Sequence, residues 1–153
     1  MRPVLNLLAL VLVAPALAAD PTPPDWLAER AEALIAARPA DPALQAAWPD
    51  TLLALADQLA DLGYPRAAAL AMEHAGIRAF RLAELDRAVS IWRDGLAYAR
   101  EQGERKREAG LLNALAVGYT VSERIDEAIA TYGQSLALKT ELGDTVGVSR
   151  TWA

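Results

Sequence analysis

The sequence of 153 residues contains no cysteine, one histidine and one phenylalanine, and only 6% of its residues are aromatic. Without cysteine the chain has no disulfide framework, no thiolate zinc site and no cysteine nucleophile. A single histidine removes most other catalytic and metal-binding arrangements. Valine and isoleucine, which favour strands, are sparse, whereas alanine, the strongest helix former, is abundant. We therefore expect an all-α domain that is not an enzyme, rather than an all-β or doubly wound fold.

Acidic residues outnumber basic residues by 20 to 15, which gives a formal net charge of −5. A nucleic-acid-binding protein needs a basic face to contact phosphates, so no nucleic-acid partner is expected. The sequence also lacks glycine-rich phosphate loops and the Gly-x-Ser-x-Gly nucleophile motif. His74 has no cysteine, second histidine or suitably spaced carboxylate around it, so we interpret it as a surface or interface residue rather than a metal ligand. The sequence thus predicts no catalytic residue, no metal site and no cofactor.

Residues 1–18 have the pattern of a secretory signal peptide. A basic start is followed by an apolar stretch from Val4 to Val13, and the small residues Ala16 and Ala18 precede a cleavage site before Ala19. The alternatives are a first core helix or a membrane anchor, but the apolar stretch is shorter than the roughly 20 residues that a membrane span needs. The predicted localisation is export, to the periplasm or the medium, with no membrane association after signal removal. A proline-rich spacer follows over residues 19–24.

Capping residues and prolines divide the rest of the chain into helices joined by short turns. Asp25 precedes a helix over residues 26–37, and Pro42 opens a second helix that Pro49 is expected to interrupt, so that a new helix follows at 51–62. Turns this short make neighbouring helices antiparallel. Four further helices are predicted over residues 65–82, 85–102, 106–121 and 123–142.

Three glycines, Gly63, Gly103 and Gly143, are spaced by 40 residues, and each follows a predicted helix. A fixed period of this length is typical of repeat proteins. The unit over residues 105–144 has the clearest pattern, in which large and small residues share one face of the first helix and a small residue of the second helix allows close approach. The pattern consists of Leu112, Leu115, Ala116, Tyr119, Ala128, Tyr132 and Ser135. We expect this stripe to be core rather than a cofactor site.

This pattern resembles the tetratricopeptide repeat (TPR), in the long variety of about 40 residues found in kinesin light chains and in bacterial arrays linked to effector domains. Thr140 departs from it, because the family often has proline there. The unit over residues 65–104 is weaker: Met72, Gly76, Ala88 and Trp92 fit the pattern, while Ala75, Ala79, Gly95 and Arg100 do not. The resemblance implies antiparallel helix-turn-helix repeats stacked into a right-handed α-solenoid.

The register of the repeats has a competitor. A second match that begins at Leu52 would make residues 65–81 a second helix rather than a first helix. The glycine period and the stronger unit favour repeats at 65–104 and 105–144. Residues 25–64 are then a diverged repeat or an N-terminal cap, because Trp48 stands where the later units have alanine.

A third repeat is expected to start after Asp144 and to be cut short at residue 153. Val148 and Trp152 would lie on one apolar face of its first helix. We interpret this end as that of a truncated fragment rather than a natural end. An open last repeat would also favour self-association, because a solenoid needs a polar outer face on its last unit.

TPR arrays are protein-interaction scaffolds whose first helices line a concave groove. The resemblance therefore implies a protein or peptide partner, with candidate groove residues Glu73, Ile77, Phe80, Arg81, Asn113, Val117 and Thr120. Ile77, Phe80 and Val117 should be partly exposed, whereas Leu112, Leu115 and Tyr119 should be buried. Relatives that bind a C-terminal carboxylate have Lys and Asn at corresponding groove positions; Glu73, Ile77 and Val117 stand there in this chain, so that activity is disfavoured.

Two function classes stay open. The first is an exported interaction scaffold, and the second is the regulatory or sensor segment of a larger exported effector, for example a caspase-like peptidase, whose catalytic domain is not in this sequence. The densest charge cluster, residues 100–108, contains both signs. We interpret it as a solvated turn rather than as a patch for an anionic partner.

The signal peptide gives the first testable prediction. When the full chain is expressed in a Gram-negative host, the mature protein should begin at Ala19 or Asp20, because the small residues at 16 and 18 suit a signal peptidase. Intact-mass measurement of the periplasmic fraction checks this. Recovery of the uncleaved chain in the cytosol would contradict it.

Overall fold

A computed structural model describes residues 25–37 and 39–144 of the chain. Within these ranges all regular structure is helical, which confirms the predicted all-α class. The signal peptide, the spacer over 19–24 and the third repeat after residue 144 lie outside the described residues. The described helices are α1 (Asp25–Ala36), α2 (Pro42–Asp61), α3 (Pro65–Arg81), α4 (Leu85–Glu101), α5 (Arg105–Val121) and α6 (Ile125–Glu141).

The turns that follow α2 to α6 share one backbone geometry, repeated every 20 residues. Their central residues have positive φ angles: Gly63 79°, Ala83 63°, Gly103 69°, Glu123 58° and Gly143 68°. The amide after each of them donates to a carbonyl in the last turn of the helix, as Glu104 does to Ala99 at 2.8 Å. This is the Schellman pattern that ends many helices. The 40-residue period of the sequence is therefore twice the period of the turns, with glycine in alternate turns.

The predicted interruption at Pro49 is wrong, because α2 continues through this residue from Pro42 to Asp61. Proline has no amide hydrogen, so the helix forgoes the bond to the Gln45 carbonyl. Pro49 itself is fully buried, on the same helix as the buried Leu52 and Leu55. Burial of this apolar face offsets the lost hydrogen bond. The predicted start of α6 at residue 123 is also wrong, because that residue occupies the left-handed position of the preceding turn.

Helix α3 is central to the packing. It contacts α2 and α4, its neighbours in the chain, and also α1 and α5. The buried side of α3 consists of small residues, which let four helices approach it closely: Ala67, Ala68, Ala69, Ala71, Ala75, Gly76 and Ala79.

The tightest approach on α3 is at Gly76, beneath the indole of Trp92 on α4. A Cβ atom added to Gly76 would lie 2.2 Å from Nε1 of Trp92. The indole cannot move away easily, because its Nε1 donates to the Glu73 carbonyl at 3.1 Å and its ring lies 5.9 Å from the ring of Phe80. Glycine is therefore required at position 76 for α3 and α4 to pack as they do.

No helix in the described part of the chain is long and apolar enough to cross a lipid bilayer.

Two glycine substitutions should have opposite effects on stability. Gly76→Ala should lower the free energy of unfolding by about 2 kcal/mol or more, because the new methyl group overlaps a fixed indole ring. Gly133→Ala is the matched control: at this helical position in α6 no described neighbour lies within 4 Å of an added Cβ. Gly133→Ala should raise the free energy of unfolding by about 0.5 to 1 kcal/mol, since alanine is the better helix former.

Urea denaturation followed by circular dichroism measures both changes. Equal effects of the two substitutions would contradict the packing of Trp92 on Gly76.

Candidate functional site

The seven predicted groove residues lie on α3 and α5, two helices that contact each other. Ile77, Phe80 and Val117 are half-buried. The residues assigned to the core are buried, with 2% exposure for Leu112 and Leu115 and 9% for Tyr119. The predicted pattern of exposure is therefore confirmed for these six residues.

Phe80 and Ile77 are not free surface anchors. Both pack against the buried core, and Phe80 forms a tilted ring contact with Trp92. Thr120 and Arg81 are exposed, and the Thr120 hydroxyl donates to the Ala116 carbonyl of its own helix at 2.9 Å. The apolar part of the predicted groove thus contributes to packing as well as to the surface.

Two of the predicted residues, Glu73 and Asn113, meet in an open cleft of about 660 Å³ between α3, α5 and the end of α6. The other five predicted residues do not line it. We call it the charged cleft, and its charged and amide groups are Glu73, Lys106, Arg107, Asn113, Lys139 and Asp144.

An ion pair between Glu73 and Arg107 forms the inner wall of the charged cleft. Nη1 of Arg107 lies 3.4 Å from Oε2 of Glu73, and their side chains are 17% and 18% exposed. Gly110 makes room for the carboxylate, since a Cβ there would lie 2.8 Å from Oε1 of Glu73. Burial raises the pKa of Glu73, although the positive charges of Arg107 and Lys139 act in the opposite direction. Desolvation therefore outweighs a pairing that is longer than a strong charge-assisted hydrogen bond.

Lys139 adds a second buried cation. Only 9% of this residue is exposed, and burial lowers its pKa, while Asp144 and Glu73 favour the charged form. The buried Nε of Arg107 finds no hydrogen-bond acceptor among the described residues. With Lys106 exposed at the rim, the cleft contains three cationic and two anionic side chains. Its formal charge is therefore positive by one, in a chain whose net charge is negative.

The interpretation of residues 100–108 as a solvated turn is wrong for Arg107, whose side chain points into the charged cleft instead of the solvent. Other members of the run do form ion pairs with exposed side chains, as Arg105 does with Glu141. The sequence contained a usable signal for the buried cations. Forty residues before Arg107 and Lys139 stand Ala67 and Ala99, and both alanines are buried.

The charged cleft offers cationic hydrogen-bond donors and anionic hydrogen-bond acceptors. Both kinds of group suit the binding of a polar segment of another molecule. His74, beside it in sequence, is half-buried. The described residues contain no group of His, Cys, Asp and Glu arranged to bind a metal ion.

No protein-family model matches this chain, and a search of curated proteins gives no match. The likeness to the TPR stays a resemblance carried by the repeat pattern.

Replacement of Glu73 should alter how stability depends on pH. Because the folded protein raises the pKa of Glu73 above its ordinary value of 4.5, the folded state binds the proton more tightly than the unfolded chain does. This group therefore adds stability as the pH falls from 7 towards 4.5, and the gain is lost as the pH rises through the raised pKa. The free energy of unfolding of the wild type minus that of Glu73→Gln should therefore be larger at pH 5 than at pH 7.

Urea denaturation at both pH values measures this difference. Glu101→Gln, which removes a carboxylate from an exposed position on α4, is the matched control for the loss of one charge. The raised pKa of Glu73 is contradicted if the stability of the wild type relative to Glu73→Gln is smaller at pH 5 than at pH 7.

Proposed function

We propose that the chain is an exported scaffold that binds a protein or peptide through the face formed by α3 and α5. One observation carries the proposal: α3 contacts both α1 and α5, and the charged cleft opens between α3, α5 and α6. Export rests on the signal-like start of the sequence. The cleft is open and lined mainly by charged and amide groups, unlike the mostly apolar pockets that enclose small molecules, so a polypeptide segment is the better fit.

The finer fold is part of the proposal: stacked TPR-like hairpins in a right-handed α-solenoid. Supporting this, Val89 on α4 is 7% exposed, and its Cγ2 would lie 2.9 Å from a Cβ at Gly118 of α5. Ile129 stands 40 residues after Val89 and is 67% exposed, because no helix in the described ranges covers it as α5 covers Val89. A further repeat, or a second copy of the chain, would bury this residue together with the exposed Ile125.

The chemistry of the face indicates the kind of segment that it would bind. Apolar side chains of Ile77 and Val117 are half-buried on α3 and α5, and the charged cleft supplies cations from α5, Lys106 and Arg107, and from α6, Lys139. A segment that combines apolar side chains with a carboxylate would match both. Lys106 is exposed at the rim, where it can attract such a segment before it docks.

Variants of single exposed residues test the proposed face. Peptides that bind the mature chain are first selected from a random-peptide library. Lys106→Glu and Thr120→Arg, both at exposed positions on α5, should then weaken binding at least about tenfold, because the first reverses a charge at the rim and the second adds a long charged side chain to the face. Gln134→Arg, at an exposed position on α6, should change the affinity less than about twofold.

Fluorescence anisotropy with labelled peptides measures the affinities, and circular dichroism shows that each variant is folded. A partner that is lost with Gln134→Arg and retained by both α5 variants would place binding on the opposite face and refute the proposal.

A further inference from the structure

A second cavity, of about 230 Å³, lies where the start of α2 meets the end of α3. It is lined by Pro39, Gln45, Trp48, Arg78, Arg81 and Leu82, and shares none of these residues with the charged cleft. Its volume is below the range of pockets for drug-sized ligands. The cavity is therefore suited to one small group.

Trp48 lines this cavity, and its indole carries a buried hydrogen-bond donor. Trp48 is 7% exposed, and its buried Nε1 finds no acceptor in the part of the chain that the structure describes. Trp92 shows the usual arrangement, since its Nε1 donates to the Glu73 carbonyl at 3.1 Å. A buried indole N–H without an acceptor is costly, and the cavity beside the Trp48 ring is where an acceptor from outside the chain would lie.

The same cavity is lined by two basic residues, Arg78 and Arg81, and none of the described lining residues is acidic. One guanidinium is held in place, because Nη2 of Arg78 donates to the Ala37 carbonyl at 3.1 Å. Gln45 is likewise fixed by its Nε2, which donates to the Pro39 carbonyl at 2.9 Å. The wall is thus built by groups whose positions are set by other contacts.

The neighbouring histidine responds to this charge. Burial lowers the pKa of His74, and the positive charges of Arg78, Arg107 and Arg81 lower it further, against an opposing hydrogen bond with the Ile35 backbone.

We propose that this cavity binds an oxyanion, a carboxylate or phosphate group, which accepts hydrogen bonds from the Trp48 indole and from the guanidinium groups of Arg78 and Arg81. Arginine is suited to oxyanions because its planar donors match two of their oxygens. The later hairpins have no equivalent of Trp48, since Ala88 and Ala128 stand at the corresponding positions and carry no side-chain donor. The group can come from a free small anion or from an acidic side chain of a partner, and the experiment separates the two.

The indole resonances of ¹⁵N-labelled protein report on the site directly. The chain has four tryptophans, and the Trp48→Phe variant assigns the resonance of Trp48. Inorganic phosphate, malonate and a blocked glutamate dipeptide are titrated separately at constant ionic strength. We expect the Trp48 resonance to move downfield and saturate with at least one of them, while the resonance of Trp92, which is already hydrogen-bonded, stays in place.

Arg81→Gln, at an exposed position, should weaken this binding at least about tenfold, because it removes a charged donor. Arg66→Gln removes the same charge from an exposed position at the other end of α3 and should leave the affinity within about twofold.

The response to the three probes identifies the source of the group. Saturation with phosphate or malonate but not with the dipeptide indicates a free small anion; saturation with the dipeptide indicates an acidic side chain of a partner. The proposal is overturned if no probe gives a saturable shift of Trp48, or if Arg81→Gln and Arg66→Gln weaken binding equally, since the latter marks a general effect of surface charge. These results do not depend on peptide binding by α3 and α5.

Discussion

The close approach of helices around α3 is the constraint on which the rest of the structure depends. Its buried side contains nothing larger than alanine, so α2 and α4 pack against its backbone, and Gly76 admits the ring of Trp92. The same indole donates to the Glu73 carbonyl and thereby fixes this part of α3. The Glu73 side chain then extends to Arg107 on α5. A packing requirement in the core thus sets the position of a charged group at the surface.

Much of the fold could be predicted from the sequence because its signals are local. Gly63, Gly103 and Gly143 have positive φ angles, which glycine adopts without strain, so the ends of their helices were predictable to within a residue or two. Ala83 and Glu123 adopt the same conformation without glycine, and the start of α6 was misplaced there. Such turns are fixed by the packing of the helices on either side, which no local pattern encodes.

The candidate sites were harder to predict, because burial of a charge depends on contacts far apart in the chain. Arg107 belongs to a run of exposed charges, and only the neighbouring α3 and α6 turn its environment into a cleft. The interruption predicted at Pro49 failed for a similar reason. Proline disfavours the helix at this position, whereas burial of the apolar face of α2 against the core favours it. The burial makes the larger contribution, so the helix continues.

Comparison between the repeats of the chain recovers part of what local patterns miss. The hairpins share one backbone geometry, so a residue that differs from its equivalent 40 residues away differs in side-chain chemistry at the same place. Arg107 and Lys139, which line the charged cleft, stand 40 residues after the buried Ala67 and Ala99. Trp48, which lines the cavity beside α2, stands 40 residues before an alanine. Burial of a charge or of a donor without an acceptor is costly for stability. Along the 40-residue period of this chain, the positions that keep the pattern build the helical core, and the positions that break it with a buried polar group are the ones to examine for binding.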